Sequence, residues 1–337
     1  MSNYIVSSSP HIRTHESTSR IMLDVIIALI PAGVVSIWKF GVKSLWVILL
    51  AVISSVLTEY IVQKLTKKTV TINDFSSAVT GLLLAYNLPP GAPWWMVIIG
   101  SVIAIALVKH AFGGLGHNFM NPALAARAVL MACWPVHMTN WISPGSDAVS
   151  SATPLVLRKI SDAATSATSA ATSSATSGAT AGATAASMEL PSLLDVIIGN
   201  IPGSLGEISS AALLIGAAYL LYRGVINWRI PFTYLATTFV LTLFINGWDF
   251  YDAFYQLFLG GLILGAFFMA TDYSSSPVTS LGQIIMGIGC GILTTVIREF
   301  GGYPEGVSYS ILLMNVATPL IEKYTMPKIF GEVGSRV

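Results

Sequence analysis

The chain has 337 residues, 54% of them hydrophobic and only 10% charged, with a formal net charge of +1. A soluble domain carries roughly 25% charged residues, so a mean hydropathy of +0.72 excludes a soluble globule. With no basic tract, nucleic acid and polybasic lipid patches are excluded as partners too. The membrane itself is the expected environment.

In chain order, the polar segment MSNYIVSSSPHIRTHESTSR is too long and too mixed in charge for the start of a signal peptide. The apolar run that follows therefore reads as a retained transmembrane helix. A helix needs ~20 apolar residues to cross ~30 Å of hydrocarbon. Ten segments approach this: 21–38, 44–63, 75–88, 94–112 and 121–136, then 207–222, 230–246, 253–270, 279–297 and 306–321. The expected class is an all-α polytopic membrane protein, with several short spans that must be tilted, broken or buried among neighbours.

The expected organisation is a cytoplasmic segment 1–20, a first five-helix half 21–137, an outer loop 138–206, a second five-helix half 207–322 and a cytoplasmic tail 323–337. Orientation follows from Lys and Arg near the helix ends. Arg13, Arg20, Lys64, Lys67, Lys68, Arg223, Arg229, Lys323, Lys328 and Arg336 fall on one side, against Lys39, Lys43, Arg158, Lys159 and Arg298 on the other. This puts both termini in the cytoplasm and the Asp147 loop outside. The stretches from Leu107 and from Val296 echo each other in a basic residue, Phe-Gly-Gly and a later Asn. That is the mark of an inverted repeat, whose site lies near the midplane, although Gly-rich apolar segments also resemble one another by chance.

The outer loop begins with DAVSSATPL, Asp147 to Leu155. Taken alone, SSATPL is a loop entering a short helix, and Pro154 forces Thr153 into an extended conformation that turns its hydroxyl outward. Residues 163–187 form a Ser/Thr/Ala/Gly tract with no large apolar side chain, which cannot offset its ordering entropy. Beyond it, LPSLLDVIIGNIPGSLGE reads as a helix that lies on the outer surface or re-enters it.

The densest polar cluster is Gly113, Gly114 and Gly116 followed by HNFMNPALAAR. Glycine allows close backbone approach to a ligand, Pro122 suits a first helical turn, and Asn118 and Asn121 supply donors and acceptors. Such a helix start can hold a polar or anionic group, or Asn121 can simply be its cap. Arg127 lies six residues into that helix, where a charge needs a partner; Asp24, Glu59 and Asp272 are the candidates. Asp24 stands about one turn beyond Arg20, so a local pair is the alternative for it. In ATDYSSSP, Thr271 and Asp272 can coordinate a cation, bond a heterocycle or cap the next helix. Cys133 and Cys290 read as small buried packing residues. Among the histidines, His117 beside Asn118 stands out. No metal-ligand set, nucleotide-binding glycine loop or catalytic triad is seen.

Five segments taken together resemble a known family: SSSPHIRTHESTSRIMLDVIIALIPA, GGLGHNFMNPALAARAV, DAVSSATPL, IIGNIPGSLGEIS and GAFFMATDYSSSP. The chain resembles the RnfD component of the RNF electron-transport complex and, less closely, the NqrB component of the sodium-translocating NADH:quinone reductase. The likeness spans nearly everything except 163–187. It implies a fold similar to a urea transporter, with ten helices in two inverted five-helix halves. It also implies FMN joined through its phosphate to a threonine in a D-x-x-[ST]-x-A-T pattern by a flavin transferase. In this sequence Asp147, Ser150, Ala152 and Thr153 match, with Thr153 bearing the FMN; Ser151 stands where many members have glycine. Ser177-Gly178-Ala179-Thr180 is a rival core, but it lacks an acidic residue three positions before its serine. A second, non-covalent flavin such as riboflavin is implied at Asn118 and Asn121, with Asp272 a further contact.

The function so implied is a flavoprotein component of the cell membrane that relays electrons between ferredoxin and NAD with its partner subunits, coupled to Na+ or H+ transport. Alone it would not complete the reaction, since the chain shows no NAD fold and no iron-sulfur ligands. The rival from another class is a channel or transporter for a small polar solute without redox chemistry. A weaker one is a membrane anchor for partner subunits.

Overall fold

In the computed structural model, residues 17–144, 153–159, 191–301 and 305–327 are described, and they are dominated by helices. Asp147, Ser150, Ser151, Ala152, Thr180 and the 163–187 tract lie outside the described residues, as do His11 and His15. Every one of the ten apolar segments contains helix. Three helices are long and apolar enough to cross a membrane, or four if one bent pair counts as a span. These are the helices of a membrane protein.

Two of the long helices, near the start of the chain, carry many exposed apolar side chains. α1 (Thr18–Phe40) starts at the Ser17 cap and stops at Gly41, whose φ of 71° also starts α2 (Val42–Leu65). On α1, Asp24, Ala28, Ala32 and Ser36 recur every four residues and turn inward, while Leu23, Ile27, Ile30, Val34 and Trp38 stay exposed. With lipid as apolar as leucine, close packing of small residues holds such helices together.

Inside them lie shorter helices: α3 (Ser76–Tyr86), α4 (Trp94–Val102, continuing as a π-helix over Ile103–His110), α5 (Pro122–Cys133) and α6 (Ser210–Tyr222). Eleven residues of α3 rise only about 17 Å at ~1.5 Å per residue. The chain therefore breaks within the bundle, and its freed backbone groups must find partners there. They do so in part by pairing: Leu205 N donates to Leu88 O at 3.1 Å and Gly206 N to Tyr86 O at 2.9 Å. The stretch after the short helix Leu193–Ile198 thus re-enters the protein rather than lying on its surface, and α6 begins at Ser210, three residues later than the expected span.

The second half continues with α7 (Arg229–Ile245), α8 (Phe250–Phe258), α9 (Leu262–Met269, ending in a π turn), α10 (Ser280–Phe300) and α11 (Val307–Thr325). The segment 253–270, expected as one span, is instead bent by 66° between α8 and α9. Gly260, at φ 63°, makes the break. Arg298 fills the opened carbonyls, donating to Gln256 O and Leu259 O at 2.9 Å each. α10 crosses α7 through Gly287 and Gly291, which face Thr233 and Thr237, a spacing that lets backbones approach closely.

Candidate functional site

A cleft opens between the start of α3, the start of α5, the end of α9 and the first turns of α1, with about 90 Å³ of room for water-sized groups. Ligand pockets combine apolar walls with a few placed polar groups. Here Met22, Val79, Leu83 and Phe267 form walls, and Ser76, Lys109, Asn118, Asn121 and Asp272 supply the polar groups.

Each polar group is positioned by its element. Asn121 caps α5, its Oδ1 accepting from Ala123 N at 3.0 Å and Leu124 N at 3.3 Å. Its Nδ2 donates to Met269 O at 3.3 Å, tying α5 to the end of α9. The Asn315 amide of α11 bridges the same junction, accepting from Asn121 N at 3.1 Å and donating to Ser275 O at 3.2 Å. Asn118 Nδ2 reaches Asp272 Oδ2 at 3.4 Å, and Ser274 and Ser275 hydroxyls donate to the same oxygen at 3.0 Å. Asn118, Asn121 and Asp272, separated by about 150 positions in sequence, thus line one cleft. Thr271 and Asp272 do not cap the following helix: Thr279 does, accepting from Gly282 N. Gly113 and Gly114 hold φ of 131° and 109°, which glycine alone adopts readily.

The foot of the cleft is a charged cluster. Lys109 Nζ bonds Glu59 Oε1 at 2.8 Å and Ser76 Oγ at 2.6 Å. His110 Nε2 meets the same Glu59 oxygen at 3.1 Å, whereas His117 is exposed. Neither Lys109 nor Ser76 was a candidate from sequence. The available signal was a lysine followed by histidine inside an otherwise apolar run.

Arg127 finds none of its three expected partners. It pairs with Glu305, lies 3.5 Å from Glu207, and donates to Asn87 Oδ1 at 2.8 Å and Ser308 Oγ at 3.1 Å. Glu59 is taken by Lys109, and Asp272 by Asn118 and its own turn. Asp24 binds Arg223 at 3.0 Å and the Tyr219 hydroxyl at 2.8 Å on α6, not Arg20. Glu207 and Glu305 precede helices; the sequence puts Glu207 at the first residue of the expected span 207–222 and Glu305 just before 306–321, and neither was a candidate partner.

Thr153 lies apart from the cleft in a short docked segment. Its carbonyl accepts from Val156 N and Leu157 N at 2.9 and 3.0 Å, which starts the helix 154–159. Leu155 packs with Val196, Ile201, Tyr255 and Leu259, and Arg158 pairs with Asp252 at 2.9 Å. The expected outward hydroxyl is not observed: Thr153 is 5% exposed and its Oγ1 is buried without a hydrogen-bond partner. Docking onto the bend between α8 and α9 turns it inward. Cys290 is buried as expected, but Cys133 is exposed at the end of α5.

Comparison with known proteins places this architecture. Residues 5–331 match the NQR2, RnfD, RnfE family. The chain is 53% identical, over 98% of its length and 96% of the relative's, to the D component of the Na(+)-translocating ferredoxin:NAD(+) oxidoreductase complex of Acetobacterium woodii. It is 45% identical, over 97% and 96%, to the D component of the proton-translocating ferredoxin:NAD(+) oxidoreductase complex of Clostridium ljungdahlii. Identity to the D component of the ion-translocating oxidoreductase complex of Halorhodospira halophila is 35%, over 96% and 94%. With a match along nearly its whole length, this chain belongs to the NQR2, RnfD, RnfE family.

Proposed function

We propose that this chain is the electron-relaying membrane flavoprotein, the RnfD component, of an ion-translocating ferredoxin:NAD+ oxidoreductase, coupled to Na+ or H+ movement. The observation that carries the reading is 53% identity to a relative named as the D component of such a complex, sustained over 98% of the chain. Other subunits of that complex are its partners. Both termini are assigned to the cytoplasm and Thr153 to the outer face of the cell membrane.

In this reading Thr153 carries FMN through a phosphoester, with Asp147, Ser150 and Ala152 forming the pattern read by a flavin transferase. What supports it is the match of these residues to the family's attachment pattern. With 153–159 docked the Thr153 hydroxyl is enclosed, so attachment requires this segment to stand away from the bend between α8 and α9. The cleft is assigned a second, non-covalent flavin. Val79, Leu83 and Phe267 would flank its ring, while Asn118, Asp272 and Lys109 would meet its polar edge. The flavins supply the electron transfer; the protein binds, orients and excludes water.

The test is co-expression with the transferase, denaturation, and a search for flavin fluorescence migrating with the polypeptide. Thr153→Ala abolishes the signal and Thr180→Ala keeps it. The reverse pattern moves the attachment to Thr180. A dark wild-type band rejects covalent flavin altogether and leaves a polar-solute transporter as the better reading.

A further inference from the structure

Lys109 is the one basic side chain lining the cleft among the described residues, and its surroundings give it a direction. Its side chain is 3% exposed. An ammonium has three N–H donors; Glu59 and Ser76 engage two of them, and the group borders the cleft itself. The other charged groups nearby are committed elsewhere. Glu59, from α2, also receives Gln63 at 3.3 Å and His110 at 3.1 Å. Asp74 accepts from Ser76 Oγ at 2.7 Å. Asp272, across the cleft, is held by Ser274, Ser275 and Asn118, and Lys68 reaches Gly113 O at 3.5 Å. The Lys109–Glu59 pair is therefore a dipole with its positive end toward the cleft. Away from water such a charge acts strongly on whatever lies beside it.

We propose that Lys109 is the charge-setting residue of the cleft, favouring the form of a bound isoalloxazine that carries one additional negative charge. The proposal rests on the reading that the cleft holds the non-covalent flavin. One electron from a reduced donor enters the ring, and the donor is oxidised by one electron. No bond to hydrogen forms or breaks, and the Lys109 ammonium offsets the charge gained. Glu59 opposes this effect, because its carboxylate partly neutralises the ammonium. Substitutions at the two positions therefore shift the ring's potential in opposite directions, which loss of shape alone would not do.

The experiment uses the purified complex, with dithionite as donor. Acid-released flavin is quantified first, and its potential is then followed by spectroelectrochemical titration across neutral pH. Lys109→Met is expected to weaken the preference for the reduced form about tenfold, equivalent to about 59 mV for one electron. Lys109→Arg stays near wild type, Glu59→Gln shifts upward, and the wild-type potential does not vary with pH. Shifts of the same sign in Lys109→Met and Glu59→Gln, or a wild-type potential that falls by about 59 mV per pH unit, overturn the proposal. If Lys109→Met does not assemble, Glu59→Gln decides by the sign of its shift. A wild-type complex that releases no flavin in acid rejects the cofactor reading and the proposal with it, whereas flavin present with an unmoved potential in all variants rejects Lys109 alone.

Discussion

Two buried basic side chains, Lys109 and Arg127, are partnered in different ways. Arg127 is held by two carboxylates, an amide and a hydroxyl drawn from three separate stretches of chain. Its planar, rigid fork suits it to that task. It holds together the places where the chain breaks inside the membrane. Lys109 meets one carboxylate and one hydroxyl and borders an open cleft. One cation closes the structure, and the other leaves part of its reach for a ligand.

The largest test of that contrast is Arg127→Met. Removing it strands Glu305 and Glu207 in the interior, and breaking a buried pair costs about 3–5 kcal/mol. The complex should fail to accumulate, measured as the yield of assembled protein in detergent. Lys109→Met should assemble better, since Glu59 keeps Gln63 and His110 as donors; equal losses at both positions would erase the distinction. An intermediate effect is expected at Gly216, where any Cβ would collide with Ala28 O of α1. Gly216→Leu should lower the thermal midpoint of the purified chain by an amount equivalent to about 1–3 kcal/mol, the usual cost of overpacking. The smallest effect belongs to Asp24→Asn. Its partner Arg223 is one-third exposed and the isosteric amide keeps an oxygen for Tyr219, so the loss should be smaller than at Arg127, measured as a change in midpoint.

The helical segments were legible because apolar length and Lys/Arg flanks depend on lipid, which acts on each segment locally. The gathering of Asn118, Asn121 and Asp272 was legible through motif resemblance, not through spacing. What escaped was non-local. The bend at Gly260 depends on Arg298 filling Gln256 O and Leu259 O from α10, and no window of residues around Gly260 contains Arg298. Arg127 was given partners inside spans, whereas Glu207 and Glu305 lie in the breaks. The turning of Thr153 inward requires Leu155 to dock against Tyr255 and Leu259, contacts a hundred residues away.

The π-helical stretch Ile103–His110 carries a further consequence for how this chain tolerates change. A π turn is an α-helix holding one residue more than its neighbours require. Deleting a single residue between Ile103 and Lys109 would therefore return the helix to ordinary winding and leave the flanking turns nearly in phase, whereas a second deletion would have no surplus residue to absorb it and would rotate everything beyond by about 100°. The apolar stripe would survive such a rotation with little penalty, because lipid accepts any apolar side chain. The ammonium would leave the cleft. The segment is thus predicted to tolerate one deletion far better than two, since phase, more than composition, is what it encodes.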